Sequence, residues 1–474
     1  MAIATINPAT GETLKTYEPL SEEALEERLA RAAAAFDRYR LTSSEERAGW
    51  LRAAADVLEG DAGAVAELMT TEMGKTLASA KAEVAKCVGA LRWYAERGPA
   101  MLEPQEKDAA AVGAERAFVV HQPLGVVLAI MPWNFPLWQA MRFAAPALMA
   151  GNVGLLKHAS NVPQTALYLE ELFGKAGFPE GVFQTLLIGS GTVERVLRDD
   201  RVVAATLTGS GPAGQSVAAI AGDALKPTVL ELGGSDPFIV MPSAHLETAA
   251  EVATTARNQN NGQSCIAAKR FFVHREVAEE FTRLFAEKIG ALTVGDPMEE
   301  GTQIGPLATE SGVQDVEEYV EDARAKGATV VVGGQRVERP GWFYAPTLIT
   351  EVTPEMRVHS EEVFGPVAAL YTVDSLEEAI GIANSHVYGL GSNLWSEDEG
   401  ERAQFVRDIA SGMAFINGMT ASYPELPFGG IKQSGYGREL TAVGMYEFMN
   451  AKTVWVGGPS DAQAKGSTAG AAAE

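Results

Sequence analysis

Short apolar runs alternate with amphipathic runs of helical length along the middle of this 474-residue sequence. A short apolar run between turn residues is typical of a β-strand, whereas the longer runs repeat their apolar residues at helical spacing. Strands that alternate with helices form parallel βαβ units, because two parallel strands can be joined only by a long crossover. The alternation predicts strands at 126–130, 153–156, 183–188, 204–207 and 228–232, and helices at 138–149, 163–175, 193–198 and 213–221.

A second alternating series covers residues 270–415, and the turn at Gly233 and Gly234 separates it from the first series. We therefore predict an α/β chain with two doubly wound domains, a class of sheet that commonly binds nucleotides at the ends of its strands. The first hundred residues have apolar residues at helical spacing and predict mainly helix.

Two segments outside this alternation carry local signals of their own. The β-prone runs 118–121 and 126–130 flank Pro123 and Gly125, which predicts a hairpin or an edge extension. The tail at 459–474 is rich in Gly, Ala and Ser without any pattern, and we expect it to be disordered.

Charge and cysteine content limit the partners of the chain. The net charge of −24 would be repelled by nucleic acid and by anionic membranes, so neither is an expected partner. Only two cysteines, Cys87 and Cys265, occur in the sequence, which excludes a disulfide framework and favours a reducing, cytoplasmic location. The six histidines show no paired spacing, so no metal site is predicted.

Residues 257–270 read RNQNNGQSCIAAKR and place Cys265 among small and amide-bearing side chains. The thiolate is the reactive form of cysteine, and backbone amides, a nearby cation or a helix start lower its pKa toward neutrality. The window therefore suggests a nucleophile with a lowered pKa. A lone cysteine is more often a small buried apolar residue, so the window by itself leaves both interpretations open.

Two glycine-rich turns could hold a phosphate group, at 188–191 (IGSG) and at 206–214 (TLTGSGPAG). Each could direct the backbone N–H groups of a helix start toward an anion. The full dinucleotide fingerprint is absent because Glu194 occupies its third glycine position, and tight turns need glycine anyway. Lys157 ends a predicted strand and adds a cation suited to a ribose hydroxyl or a phosphate.

Six sequence windows in a fixed order resemble the aldehyde dehydrogenase superfamily over essentially the whole ordered length of the chain. They are PWNFP at 132–136, TGS at 208–210, ELGG at 231–234, GQSC at 262–265, EEVFGPV at 361–367 and PFGGIKQSGYGRE at 427–439. The resemblance implies two Rossmann-like domains and a small β arm for oligomerisation. It places the cofactor-binding domain at 1–104 and 124–231, the catalytic domain at 232–448 and the arm at 105–123 and 449–458.

The resemblance implies that Cys265 is the nucleophile, Glu231 the general base and Asn134 a donor to the oxyanion, together with the Cys265 amide. A thiolate that adds to an aldehyde forms a thiohemiacetal, which can expel hydride and leave a thioester. The oxyanion needs fixed donors, and the thioester needs water activated by a desolvated carboxylate. Taken singly, Asn134 could be a turn residue between prolines and Glu231 a paired acid at a strand end.

The resemblance also assigns residues to a nicotinamide cofactor, NADP or NAD. Many NAD-preferring relatives carry a glutamate at the position of Ser160, where it accepts hydrogen bonds from ribose hydroxyls and repels a 2′-phosphate. Because Ser160 lacks that charge and Lys157 can offset a phosphate, we expect NADP to be slightly favoured. The implied cofactor residues are Trp133, Lys157, Ser160, Gly209, Ser210, Gly214, Leu232, Glu362 and Phe364.

Four residues bear on the substrate. Arg142 follows PWNFP on an apolar helix, where an unpaired cation would be costly to bury. It matches a carboxylate-binding arginine of succinate-semialdehyde dehydrogenases, with Ser422 near their hydroxyl contact and Phe428 in the same predicted pocket. Gln259 replaces a second arginine that many of those enzymes carry. An internal salt bridge is the alternative role for Arg142.

The predicted function is NAD(P)-dependent oxidation of a small-molecule aldehyde, succinate semialdehyde first, to its acid by a homodimer or homotetramer. One alternative is a dehydrogenase of a non-carboxylated aldehyde, and another is a catalytically silent binding protein of the same fold. The complete set of Cys265, Glu231 and Asn134 counts against the silent protein.

Overall fold

The computed structural model describes residues 2–458, so the tail predicted to be disordered lies outside the described residues. A six-stranded sheet forms the first half of the fold, and its strands from 126 to 231 all pair in parallel. The predicted alternation and the α/β class are thereby confirmed. In spatial order the strands are Gly435–Tyr436, Thr228–Glu231, Val202–Thr208, Val126–Met131, Val153–His158 and Phe183–Thr185, and the connecting helices are Pro136–Ala150, Pro163–Lys175, Val193–Arg198 and Gly211–Asp223.

The strand at 183 is shorter than predicted. It ends at Thr185 because the chain then bends back, with the Ile188 N–H donating to the Leu186 carbonyl at 2.9 Å. An N-terminal helical layer packs with this sheet around one apolar core, as the helical spacing predicts. It follows the antiparallel pair Ile3–Asn7 and Glu12–Tyr17 and comprises Glu22–Tyr39, Ser44–Gly60, Ala62–Met73 and Leu77–Met101.

A seven-stranded sheet forms the second half, parallel except for one edge strand. Its core lies on both faces, against helices that alternate with the strands. In spatial order the strands are Thr329–Val332, Thr347–Thr350, Val367–Val373, Ala268–His274, Asp236–Val240, Asn393–Trp395 and Phe415–Ile416, and the helices are Leu246–Asn258, Arg275–Gly290, Glu310–Ala325, Arg357–Ser360, Leu376–Ser385 and Glu399–Asp408. Helix Thr441–Tyr446 packs instead in the apolar core of the first half, against helix Pro136–Ala150.

A three-stranded antiparallel sheet joins Met449–Val456, Arg116–Pro123 and Gln105–Glu106. The expected hairpin between 118–121 and 126–130 is therefore wrong, because Val126–Met131 lies in the six-stranded sheet instead. The chain leaves one sheet for the other at Leu124, whose N–H donates to the Phe448 carbonyl at 3.1 Å. Short pieces complete the structure: the strand pair Tyr388–Gly389 and Ile431–Lys432, and the 3-10 turns Ala110–Val112, Ser190–Thr192 and Gln259–Gly262.

Between residues 2 and 458, no helix combines the length and the apolar character that crossing a bilayer requires.

Candidate active site

The loop that carries Cys265 is shaped by two asparagines in the left-handed region. Helix Leu246–Asn258 ends in a turn where Asn260 has φ 55° and Asn261 has φ 58°. Asparagine tolerates this region better than most residues, since its amide can form local hydrogen bonds. The Asn261 amide donates to the Gly74 and Pro306 carbonyls, both at 2.8 Å. The amide-rich sequence thus fixes a tight turn immediately before the cysteine.

Two buried cations hold the carbonyl groups of the same loop. Arg257 has no exposed surface and donates to the Gly262 carbonyl at 2.6 Å and the Ala268 carbonyl at 3.2 Å. Lys269 donates to the Ser264 and Cys265 carbonyls, each at 2.8 Å. Because a buried cation must be satisfied, these contacts fix the loop on both sides of the cysteine.

Asn134 packs against the cysteine loop. It follows strand Val126–Met131, and its Nδ2 donates to the Gln263 carbonyl at 3.2 Å, two residues before Cys265. In return, Asn260 Nδ2 donates to the Asn134 carbonyl at 2.6 Å. The structure therefore brings Asn134 to the loop of Cys265, with its amide group used by Gln263 in this state.

The helix after Asn134 is capped by a distant carboxylate. Glu83 accepts hydrogen bonds from the Leu137 N–H at 2.9 Å and the Trp138 N–H at 2.8 Å, and it pairs with the buried Lys75. These N–H groups have no partner within the helix, so the carboxylate satisfies their hydrogen bonds. Its negative charge also interacts favourably with the positive end of the helix dipole. Glu83 thus fixes where helix Pro136–Ala150 begins and with it the position of Asn134.

Glu231 ends strand Thr228–Glu231 with its carboxylate fully inside the protein. Neither carboxylate oxygen has a hydrogen-bond partner within residues 2–458. Burial raises the pKa of Glu231 well above its ordinary value, and the charge of Glu439 raises it further, while Arg142 and Arg438 oppose the shift. A desolvated carboxylate with free oxygens is suited to accept a proton.

Cys265 does not have the lowered pKa that its sequence window suggested. Burial raises the pKa of the thiol to about 12, and the charges of Arg142 and Lys269 offset only part of that effect. The expectation was wrong because the cations beside the cysteine are directed at backbone carbonyls and at acids rather than at the sulfur atom. Proton removal from Cys265 therefore requires a base.

Arg142 forms the internal ion pair that the sequence left open as an alternative. Its Nε lies 2.7 Å from Glu439 Oε2, and both side chains are buried. Its guanidinium stacks 4.2 Å from the centre of the Phe428 ring. Neither Nε nor Nη2 has a partner of hydrogen-bond geometry in the described chain, so Glu439 balances the charge of Arg142 without satisfying its N–H groups.

The other two predicted substrate residues lie on different elements. Ser422 Oγ accepts from Trp138 Nε1 at 2.9 Å and from Lys86 Nζ at 2.8 Å, beside the helix that carries Arg142. Gln259 opens the turn before Cys265, and its Nε2 is buried without a partner in the part of the chain that the structure describes. The structure therefore links Ser422 to the helix of Arg142 and places Gln259 at the loop that carries Cys265.

The TGS and ELGG windows meet at the ends of two parallel strands. The Gly209 N–H donates to the Glu231 carbonyl at 3.0 Å. Gly214 packs on Leu232 so closely that a Cβ would lie 2.6 Å from a Leu232 methyl group. Ser210 precedes helix Gly211–Asp223 without capping it through its side chain, which leaves the helix start open to an anion.

The remaining cofactor residues divide into a cation and a second group near the cysteine. Lys157 ends strand Val153–His158 with 9% exposure, forms no ion pair within the described range, and has its pKa lowered by burial. Ser160 follows three residues later, half-buried, with its carbonyl accepting from the Ala4 N–H at 3.0 Å.

The second group of predicted cofactor residues lies near the cysteine loop. Glu362 accepts a hydrogen bond from the Gly234 N–H at 3.1 Å and forms an ion pair with Lys269 at 3.3 Å. The ring of Phe364 lies edge-on to the ring of Trp133, with 5.7 Å between their centres.

A separate cavity of about 1020 Å³ lies between helix Arg275–Gly290 and the strands Thr347–Thr350 and Val367–Val373. Its lining includes none of the predicted site residues. This cavity is therefore distinct from the candidate site, which lies where the sequence windows meet.

A family model described as the aldehyde dehydrogenase family matches residues 1–454, and it includes every window of this site. The chain belongs to that family. Among its relatives is the succinate-semialdehyde dehydrogenase [NADP(+)] 1 of Mycobacterium tuberculosis, which is 60% identical over 456 residues, 96% of this chain and 100% of the relative. The succinate-semialdehyde dehydrogenase [NADP(+)] of Mycobacterium avium is 60% identical over 467 residues, 98% of this chain and 99% of the relative.

Solved structures agree with this family assignment. The succinic semialdehyde dehydrogenase of Streptococcus pyogenes, in complex with NADP+, has a TM-score of 0.93 at 38% identity, covering 96% of this chain and 100% of that chain. The succinate-semialdehyde dehydrogenase of Burkholderia pseudomallei also has a TM-score of 0.93, at 36% identity, covering 97% and 95%. The two Rossmann-like domains expected from the sequence are thereby confirmed.

Several residues that build the site were not identified from the sequence. Arg257, Lys269, Asn260 and Asn261 lie in the RNQNNGQSCIAAKR window, but their role depends on carbonyl groups that only the fold brings near. Glu439 ends the last quoted window, and nothing local indicated that it pairs with Arg142.

Proposed function

We propose that this enzyme oxidises succinate semialdehyde to succinate with NADP as the electron acceptor. The observation that carries the proposal is the 60% identity, over nearly the full length of both chains, to NADP-dependent succinate-semialdehyde dehydrogenases. The catalytically silent alternative is disfavoured, because Cys265, Glu231 and Asn134 are all present and lie at one site.

In the proposed reaction, the Cys265 sulfur adds to the aldehyde carbon and forms a thiohemiacetal. Asn134 and the Cys265 N–H stabilise the oxyanion, which requires the Asn134 amide to turn from Gln263 toward the substrate. The bound cofactor supplies the hydride acceptor. Glu231 then takes a proton from the water that hydrolyses the Cys265 thioester, a role suited to its raised pKa.

The site residues fit a phosphorylated dinucleotide. Lys157 is a buried cation without an acidic partner in the described chain, and the helix start after Ser210 is not capped. Both features suit a phosphate group. Ser160 adds a hydroxyl where a glutamate would repel a 2′-phosphate, so Ser160→Glu should lower kcat/KM for NADP roughly tenfold or more and change NAD little.

We also propose that Arg142 recognises the distal carboxylate of the substrate. Its buried N–H groups without hydrogen-bond partners support this role, while Glu439 lies 2.7 Å from Nε as its counter-ion. Charge-assisted hydrogen bonds are among the strongest in proteins, and a buried site strengthens them. Phe428 would hold the guanidinium plane in place by its stacking.

The division into domains, the assembly and the location are proposals of the same kind. We infer that 1–104 and 124–231 bind the cofactor, that 232–448 carries the nucleophile, and that 105–123 with 449–458 mediates homo-oligomer formation. Both free cysteines suit the reducing cytoplasm.

The test is a comparison of initial rates for succinate semialdehyde and butanal, each with NADP and with NAD, followed by absorbance at 340 nm. Butanal has the same carbon chain without the acid. We expect the highest kcat/KM with succinate semialdehyde and NADP. Equal values for the two aldehydes would favour the non-carboxylated alternative, and a large preference for NAD would refute the cofactor assignment.

A further inference from the structure

A lysine outside all the sequence windows lies beside the proposed substrate pocket. Lys86 is on helix Leu77–Met101, half-buried. Its ammonium group donates to Ser422 Oγ at 2.8 Å and lies 4.5 Å from the centre of the Trp138 ring. Since Trp138 is one helical turn before Arg142, Lys86 and Arg142 approach the same region from two helices.

Lys86 carries a charge that the protein does not neutralise. Within residues 2–458 it forms no ion pair with an acid. Glu83 is one turn away on the same helix, but it is occupied by Lys75 and by the Leu137 and Trp138 N–H groups. Burial and, after it, the charge of Arg142 lower the pKa of Lys86 to about 8. A bound anion would relieve both effects.

The hydrogen bonds of Ser422 indicate where such an anion would bind. Ser422 is 3% exposed, and its oxygen accepts one hydrogen bond from Lys86 and one from Trp138. Ammonium and indole N–H groups can only donate, so both lone pairs of the hydroxyl are used. The hydroxyl hydrogen must therefore point to an acceptor, and no described side chain supplies one. A carboxylate oxygen would complete the set.

The ion-pair partners of Lys86 and Arg142 also favour a bound anion. Lys86 and Arg142 contribute two cations, and Glu439 pairs with Arg142 alone. Lys86 therefore adds a second cation from another helix, and no acid among residues 2–458 forms an ion pair with it.

We propose that Lys86 binds the distal carboxylate of the substrate together with the Ser422 hydroxyl and Arg142. The inference rests on the proposed function only for the identity of the acid. The site itself would bind any short aldehyde or acid that carries a terminal carboxylate.

The decisive variant is Lys86→Met, with Lys81→Met as the matched control, because Lys81 is exposed on the same helix. We expect Lys86→Met to lower kcat/KM for succinate semialdehyde at least tenfold and to change that for butanal less than threefold. Lys86→Arg should restore most of the loss. Lys86→Gln, which keeps a donor for Ser422, provides the same test if the methionine variant folds poorly.

A second measurement separates this inference from the choice of substrate. Succinate should inhibit butanal oxidation competitively, and Lys86→Met should raise its inhibition constant at least tenfold while Lys81→Met leaves it unchanged. If the wild type prefers butanal and Lys86→Met still abolishes succinate inhibition, the proposed function fails and the role of Lys86 stands. Equal losses on both aldehydes, or an unchanged inhibition constant, would overturn the role of Lys86.

Discussion

Cys265 and Glu231 both lie in surroundings that favour their uncharged forms. Burial is the largest cause of the raised pKa in each case. For Glu231 this suits the proposed role, since a raised pKa makes the carboxylate a stronger base toward water. In the proposed reaction it is a cost for Cys265, because only the thiolate attacks. The proposed nucleophile is therefore stored as a thiol and must lose its proton when the substrate arrives.

The raised pKa of Cys265 predicts how the rate of its chemical modification depends on pH. Because the pKa of Cys265 is about 12, its thiolate fraction should rise about tenfold per pH unit from pH 7 to 10 without a plateau. The alkylation rate with iodoacetamide in the cofactor-free enzyme measures that fraction. Cys265→Ala is the control, since Cys87 is fully buried with its pKa raised well above the ordinary value. A plateau near pH 7 would show a lowered pKa and contradict the prediction.

Replacing Glu231 with Gln should separate the two halves of the reaction. Glutamine keeps the shape of the side chain but cannot take a proton from water, so the thioester on Cys265 should persist. Rapid mixing should then show a burst of about one reduced cofactor per active site, followed by a steady rate roughly a hundredfold or more below wild type. If burst and steady rate fall equally, Glu231 acts before hydride transfer, for example on the Cys265 thiol.

At the scale of secondary-structure elements, local patterns and distant pairings differ in how well they can be predicted. The parallel strands and their helices follow from apolar periodicity, a property of neighbouring residues. The pairing of Met449–Val456 with Arg116–Pro123 joins segments more than 300 residues apart, and no local signal specifies it. Short sequence windows predict Cys265 and Glu231 as site residues because each window is a local pattern. Lys86 lies in no such window, and its role is suggested only by its hydrogen bond to the distant Ser422 in the folded chain.

The turn before Cys265 allows a matched test of how far its backbone conformation matters. Gly262 and Gly11 both have φ +77°, but a Cβ at Gly262 would lie 2.5 Å from the Gly365 carbonyl carbon, while nothing is within 4 Å of one at Gly11. Gly11→Ala should cost about 1 kcal/mol of unfolding free energy from its left-handed conformation alone and leave kcat unchanged. Gly262→Ala should cost about 3 kcal/mol or more and lower kcat about a hundredfold, since the backbone must shift.

Urea denaturation and steady-state kinetics on the two variants measure both effects. Similar stability losses would mean that the loop around Gly262 accommodates the methyl group. A stable Gly262→Ala enzyme with full activity would show that the position of the cysteine loop is less constrained than its hydrogen bonds indicate.

At the scale of the whole molecule, the three-stranded sheet has an unpaired edge at strand Met449–Val456. Met449–Val456 pairs along its length with Arg116–Pro123, and its other edge has no strand partner within residues 2–458. Such an edge exposes a row of unpaired N–H and C=O groups, which proteins usually cover. Trp455 and Val456 add apolar surface there, with exposures of 49% and 40%. A second copy of the chain would cover both features.

We therefore predict that light scattering at micromolar concentration gives two or four times the chain mass of 50.2 kDa. Trp455→Glu places a charge in the proposed interface and should shift the mass toward that of one chain. Leu225→Glu is the control, because Leu225 is 93% exposed outside this sheet, and it should leave the mass unchanged. A wild-type monomer would refute the assembly, whereas an unchanged mass in both variants would place the contact on another surface.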